Sequence, residues 1–314
     1  MNRPVVIVPV ERATDVAWVV RVATAIAASP VDVHLVHVMT ADGLWATEQG
    51  GPGPAWSPDN EAPKREGAAV RTVRVRGKAE AIIPAYAQLV GARAIIVERT
   101  YGTPRIWRRT AAVRRLSRSS PVPVLVLPAQ AHALDRAALG DINRVVVAVD
   151  SSVASAVALR TGMGLARRHH ARLTMLHAIK NVPDHMVFSG SEAWRVMQRL
   201  PAQKRQMAGQ LRQRAALLGD SNAQAQVVTG DPGSAIVSAA SEADADLVVM
   251  GVAPRTALDR WVFGSTLSTV LRRARTPVLV VPVIGGAERW YENTFGEDAI
   301  RALAERSLTA RLAA

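Results

Sequence analysis

The chain repeats itself at a spacing of about 140 residues, and no other feature of the sequence restricts its fold as strongly. Shifting the sequence by 140 residues places residues 3–9 on 143–149 without a gap. Towards the end of each copy the best shift becomes 154, which places residues 123–128 on 277–282. Since repeated segments fold alike, the sequence predicts two copies of one structural unit.

Each copy alternates short apolar runs with longer stretches of helical length. The apolar runs are rich in Val, Ile and Leu without polar alternation, which is typical of strands buried on both faces of a parallel sheet. In the second copy they cover about residues 144–149, 172–178, 223–228, 247–250 and 278–281. Helices are predicted over about 151–169 and 192–218, after 230–233 and from about 264. We therefore predict an α/β fold with two tandem doubly wound parallel sheets of five strands each.

The repeat also divides the chain into predicted domains. The first covers residues 1–130, the second covers 141–284, and residues 285–314 form a tail outside both copies. Apolar residues of the tail could line one face of a helix: Ile300, Leu303 and Leu308. The first copy differs over residues 40–60, which are rich in Gly and Pro and predict a loop, with at most a short helix near 59–67.

Composition excludes several classes of function. The chain has no cysteine, which rules out a disulfide framework, a Cys-ligated metal site and thiol catalysis. No apolar run is long enough for a membrane span, and the first run is too short for a signal peptide, so we expect a cytoplasmic protein. The net charge of +13 is spread over both copies. Such a charge attracts nucleotides, nucleic acid or acidic proteins, or else simply marks a solvated basic surface.

Ligands of open parallel sheets bind beyond the carboxyl ends of the strands, where the strand order reverses. In the second copy Asp150 ends the first strand and can accept hydrogen bonds from a base or ribose. After the fourth strand, Gly251 allows close approach of backbone to a ligand. Gly264, Ser265 and Thr266 open a helix whose N–H groups and hydroxyls suit a phosphate. The candidate site as a whole contains Ala148, Val149, Asp150, Ala178, Met250, Gly251, Pro254, Gly264, Ser265 and Thr266.

These residues carry a resemblance to a known family. Over about residues 3–283 the chain resembles a tandem universal stress protein, whose nucleotide signature is Gly-x2-Gly-x9-Gly-(Ser/Thr). Gly251, Gly264 and Ser265 match that signature, whereas Pro254 replaces its middle glycine and lacks an N–H group. The family's nucleotide-contacting Asp matches Asp150, its Met before the first Gly matches Met250, and its small residue ending strand two matches Ala178.

The resemblance implies both a ligand and an architecture. ATP or a related adenine nucleotide would bind in the second copy. The strand order in each copy would be 3-2-1-4-5. The fifth strands, residues 124–127 and 278–281, would pair across a pseudo-two-fold axis within the one chain.

The first copy keeps the strands but has lost the site. Val10 replaces the Asp, Glu98 replaces the first Gly, and Thr110 and Ala111 replace the Gly-Ser pair. A carboxylate at position 98 would repel phosphates, although it could equally pair with Arg99. We expect this copy to bind no nucleotide, or to bind some other ligand.

Three hypotheses about function follow from these residues. The first is a stress-response regulatory protein that binds an adenine nucleotide in its second domain and signals through a protein partner not yet identified. The second is a nucleotide-free dimeric scaffold that acts through protein or nucleic-acid contacts on its basic surface, with the tail as a candidate contact between two chains. The third, a weak ATPase, has no general base suggested by sequence.

Other polar residues have simpler interpretations. The equivalent His37 and His177 fit packed strand-end histidines better than metal ligands, and His169 and His170 suit the C-terminus of a helix. The arginines of residues 105–118 and 272–275 could contact phosphates. Without a nucleic-acid-binding motif and with few aromatic residues, they favour a solvated basic face.

Overall fold

Ten strands and seven helices alternate along the described part of the chain in a computed structural model. The structure describes residues 3–10, 16–27, 31–39, 68–76, 78–98, 106–128, 142–179, 190–220, 222–253 and 263–283. The elements of the first half are β1 (Val5–Val10), α1 (Val16–Ile26), β2 (Val31–Met39), β3 (Ala68–Arg76), α2 (Ala79–Leu89), β4 (Ala94–Glu98), α3 (Ile106–Ser119) and β5 (Val124–Leu127). Those of the second half are β6 (Arg144–Ala148), α4 (Val153–His169), β7 (Arg172–Ile179), α5 (Gly190–Leu217), β8 (Gln224–Thr229), α6 (Pro232–Glu242), β9 (Leu247–Val252), α7 (Phe263–Arg273) and β10 (Val278–Pro282).

All ten strands belong to one sheet, in the order β3-β2-β1-β4-β5-β10-β9-β6-β7-β8. Each half has the order 3-2-1-4-5 along its own chain, which confirms the predicted α/β fold and strand order. The predicted loop at 40–60, the short helix near 59–67 and the tail at 285–314 lie outside the described residues.

The two halves join through their fifth strands. β5 and β10 run antiparallel, with Leu125 opposite Leu279 and Val126 opposite Val278. All other pairings in the described sheet are parallel. The pairing of the fifth strands within one chain is therefore confirmed.

Helices cover both faces of the sheet, because the strands are apolar on both faces. One core layer packs α1, α4 and α5 against the sheet, and Leu125 and Leu279 belong to it. The other layer packs α2, α3, α6 and α7 against the opposite face, and Val126 and Val278 belong to that one. Both layers contain residues of both halves, so the apolar core is continuous across the join.

Polar contacts add to this join on both faces. The guanidinium of Arg114 on α3 donates to the hydroxyl of Ser268 on α7 at 3.1 Å. On the other face, Arg168 donates to the carbonyl of Ala27 at 3.0 Å. His169 donates through Nε2 to the carbonyl of Ala25 at 2.8 Å. The last turn of α4 therefore places two side-chain donors at the carboxyl end of α1, where carbonyls lack helical partners.

Helix α4 lies unusually close to the strand before it. Its N-cap is Ser152, whose hydroxyl accepts from the N–H of Ser155 at 3.1 Å. A Cβ added to Gly162 would overlap the side chain of Val147 on β6. Glycine at this position thus serves helix–strand packing.

No helix in the part of the chain that the structure describes combines the length and apolar character needed to cross a membrane.

Candidate functional site

The strand order of the second half reverses between β6 and β9. These two strands are neighbours, and β7 lies on the other side of β6. Because β6, β7 and β9 are parallel, their carboxyl ends reach the same edge of the sheet. Asp150 and Gly251 flank the point of reversal, and Ala178 lies in β7 near the same edge. The fold therefore brings together residues that the sequence separates by up to about 100 positions.

Asp150 is held in place by the start of α4. Its carboxylate oxygen Oδ1 accepts from the N–H of Ser152 at 2.8 Å. Its carbonyl accepts from the hydroxyl of Ser155 at 2.8 Å and from the guanidinium of Arg214 at 3.4 Å. The side chain is half-buried. Sequence reasoning missed Arg214, because it lies on α5, 64 residues away, with no local signal that it would reach this edge.

The ends of β6 and β7 are linked by a histidine. Nδ1 of His177 donates to the carbonyl of Val149 at 2.8 Å. Val149 is buried, while Ala148 and Ala178 are half-buried. The contact agrees with the interpretation of His177 as a packed strand-end residue. Among the described residues, no group of three or more His, Asp and Glu side chains is placed to hold a metal ion.

Gly251 lies within β9, one residue before its end, rather than after the strand as predicted, and Met250 precedes it in the same strand. A Cβ added to Gly251 would overlap the backbone of Ala154 and would lie 2.9 Å from the nitrogen of Ser155. The first turn of α4 therefore crosses directly over this glycine. Close packing of α4 on β9 is sufficient reason for glycine here, whether or not a ligand also approaches it.

The first turn of α7 contains the remaining candidates. Gly264 is the second residue of this helix, and Ser265 and Thr266 follow it. Ser265 is exposed and Thr266 half-buried. The first N–H groups of a helix lack partners within it, so they suit an anion together with these hydroxyls. Pro254 lies outside the described residues.

The equivalent edge of the first half differs in shape as well as in sequence. Val10, which replaces the Asp, is buried at the end of β1, and Glu98 is the last residue of β4. Helix α3 has 14 residues where α7 has 11. Its additional residues precede Thr110 and Ala111, which therefore lie inside the helix. The first half accordingly has no helix start at the position of Gly264 and Ser265.

Two histidines of β2 are nearly buried in the first half. His34 faces Arg71 on β3, and its Nδ1 shares a hydrogen bond with the Tyr86 hydroxyl at 2.9 Å. Burial lowers the pKa of His34 below its ordinary 6.5, Arg71 lowers it further, and Asp32 partly opposes both. Burial and then Arg74 lower the pKa of His37. Both imidazoles therefore bind a proton less readily in the folded chain than in the unfolded chain.

The lowered pKa values of His34 and His37 predict a dependence of stability on pH. Below about pH 6.5 the unfolded chain binds protons at these histidines more readily than the folded chain does. The free energy of unfolding therefore decreases as the pH is lowered. We expect urea unfolding to show this fall between pH 7.5 and pH 5.5 (roughly one unit either side of the ordinary His pKa). The double variant His34→Gln/His37→Gln should lose less stability over that range. An equal loss in the variant would contradict the prediction.

Comparisons with known proteins agree with this architecture. Residues 141–282 match the model of the Universal stress protein family. A universal stress protein of Methanocaldococcus jannaschii is 26% identical over 139 residues, which cover 44% of this chain and 81% of that protein. A functionally unknown protein of Pseudomonas aeruginosa PAO1 aligns with a TM-score of 0.61 and 18% identity, over 93% of this chain and 96% of that one. A universal stress protein from Archaeoglobus fulgidus aligns with a TM-score of 0.54 and 16% identity, over 88% of this chain and 96% of that one. These two structural likenesses establish the fold.

Proposed function

We propose, from the match of residues 141–282 to the universal stress protein family and from the geometry of their sheet edge, that the second domain binds an adenine nucleotide. ATP is the nucleotide that the resemblance implies. The protein then acts as a regulatory module of the stress response. In this proposal residues 1–130 are a degenerate copy of the same domain, and residues 285–314 are a helical tail.

One observation carries the proposal: Asp150 and the first turn of α7 each follow one of the two strands that flank the point of strand reversal. Such a point is where open α/β sheets bind nucleotides. The donors of α7, namely its first N–H groups and the Ser265 and Thr266 hydroxyls, fit phosphate oxygens. The Asp150 carboxylate supplies acceptors that fit an amino group of a base or a ribose hydroxyl. The donor and acceptor sets therefore suit the two ends of a nucleotide.

The unequal halves support a division of labour. The first half offers a buried valine where the second has Asp150, and a continuous helix where the second has a helix start. Its sheet nevertheless extends that of the second half through β5 and β10. We therefore place nucleotide binding in the second domain and a supporting role in the first.

Replacing Asp150 by Asn tests the site while leaving its fold intact. Asn keeps an oxygen that can accept from the Ser152 N–H, but it loses the charge and a second acceptor. We expect calorimetry to show ATP binding to the wild-type chain, and binding weaker by about tenfold or more in Asp150→Asn, equivalent to about 1.4 kcal/mol.

The matched control is Asp231→Asn, which changes the N-cap of α6 and also keeps an acceptor for its partner, the N–H of Ser234. This variant should bind ATP like the wild type. Equal loss in both variants would contradict the placement of the site. No binding of ATP to the wild-type chain at millimolar concentration would overturn the proposal and favour the nucleotide-free scaffold.

A further inference from the structure

A polar trough lies at the opposite edge of the second half, where β6, β7 and β8 begin. Its volume is about 510 Å³, and the buried Leu173 and Ala223 are among the residues that line it. Its walls are formed by polar side chains from the amino ends of the three strands: Asn143, Arg144, His170, Arg172, Asn222 and Gln224. Amino ends of parallel strands face away from the candidate nucleotide site, so the trough is a separate place on the molecule.

The walls of the trough carry more donors than acceptors. Arg144 is held by the carbonyl of Ala243 and the carboxylate of Asp244, each at 3.1 Å. Arg172 is exposed and lines the same space, together with His170. Asp220 is the one acidic residue among the described lining residues, and its Oδ1 already accepts from the N–H of Asn222 at 3.1 Å. Guanidinium, imidazole and amide groups together favour an anionic ligand.

Two helix ends lie at or beside the trough, those of α4 and α6. Only two non-glycine residues of the described chain have positive φ, namely His170 at 53° and Asp244 at 44°. His170 lines the trough, and Asp244 holds Arg144 beside it. This left-handed conformation favours glycine over residues with a side chain. Both residues end a helix, His170 as the C-cap of α4 and Asp244 directly after the C-cap of α6, where a left-handed conformation is common.

We propose that this trough binds a small organic phosphate. Arg172 supplies planar, permanently charged donors that match phosphate oxygens, and Arg144, one nitrogen of which is held by Ala243 and Asp244, adds its remaining donors. His170 and the amides of Asn222 and Gln224 add donors for the rest of the ligand. The volume is within the range of small-molecule sites, about 300–1,000 Å³. The ligand is therefore of the size of a phosphorylated sugar.

Titration of the full chain with inorganic pyrophosphate, followed by amide NMR, tests the proposal. Saturable shifts are expected in residues 170–173 and 222–224, with Arg172→Gln weakening binding by about tenfold or more. The matched control Arg205→Gln removes an exposed arginine of α5 that does not line the trough, and it should leave binding unchanged. Equal weakening in both variants, or shifts that never saturate, would overturn the proposal. Citrate binding as tight as pyrophosphate would overturn the preference for phosphate.

A second variant separates ligand binding from structure. His170→Gly relieves the left-handed backbone, so its melting temperature should rise above that of the wild type. Its affinity for pyrophosphate should fall at the same time, because a wall donor is lost. A more stable variant with unchanged affinity for pyrophosphate would show that His170 has no part in binding. That outcome would contradict the proposed phosphate site.

Discussion

Replacing Gly251 by Ala should destabilise the chain by about 3 kcal/mol or more, an unusually large effect for one added methyl group. The new Cβ would overlap the backbone of Ala154 and approach the nitrogen of Ser155. Backbone at the start of a packed helix cannot move aside as a side chain can. Relief therefore requires α4 to shift away from β9. Urea unfolding followed by circular dichroism measures the change, and Gly251→Val should be worse still.

Two other glycines provide graded controls. Gly209 lies in α5 with nothing within 4 Å of an added Cβ, so Gly209→Ala should stabilise the helix by about 0.5–1 kcal/mol. The effect of Gly162→Ala on the free energy of unfolding should lie between those of Gly251→Ala and Gly209→Ala, because its Cβ would meet the tip of the Val147 side chain. A Gly251→Ala variant as stable as the wild type would show that α4 does not press on β9 as described.

This series also decides how the nucleotide proposal can be tested. If Gly251 variants lose ATP binding, the loss of α4 packing explains it as well as the loss of a ligand contact does. A result from Gly251 alone therefore says nothing about the ligand. Asp150→Asn is the more informative variant, since it keeps an acceptor for the N–H of Ser152.

The strands were predictable because burial on both faces leaves a strong pattern. Runs of Val, Ile and Leu in the second copy predicted β6 to β10 to within about two residues at each end. The strand order and the pairing of β5 with β10 came from the family resemblance, since no local pattern specifies which edges meet. The structure confirms both. The domain boundaries and the nucleotide site stay predictions.

Features that depend on contacts between residues distant in the chain could not be predicted from the sequence. The sequence analysis placed Gly251 after the fourth strand, but the residue lies inside β9, and α4 crosses it from a segment about 97 positions earlier. Arg214 reaches Asp150 from α5, and the polar trough assembles from three strand starts. Each arises from packing between elements, which neither periodicity nor motif spacing encodes.

Truncation of Leu125 to Ala in the first half should weaken the second half. Leu125 is fully buried and pairs directly with Leu279 of β10 in the antiparallel join. Removing its side chain should lower the free energy of unfolding by about 2–5 kcal/mol. Because β5 and β10 share hydrogen bonds, amide exchange should accelerate in β10, at Val278 and Val280, as well as in β5. Hydrogen exchange followed by mass spectrometry measures both strands in one experiment.

The control for this prediction is Leu89→Ala, a matched truncation at a leucine that is 81% exposed at the end of α2. It should change stability by less than about 0.5 kcal/mol. Leu279→Ala should lower the free energy of unfolding by a similar amount to Leu125→Ala. The double variant should lose less free energy of unfolding than the two single variants together, because each truncation removes the other's partner. Unchanged protection of β10 in Leu125→Ala would mean that the halves unfold independently. In that case the first domain could not support the second through the shared sheet, and the division of labour between them would need another physical basis.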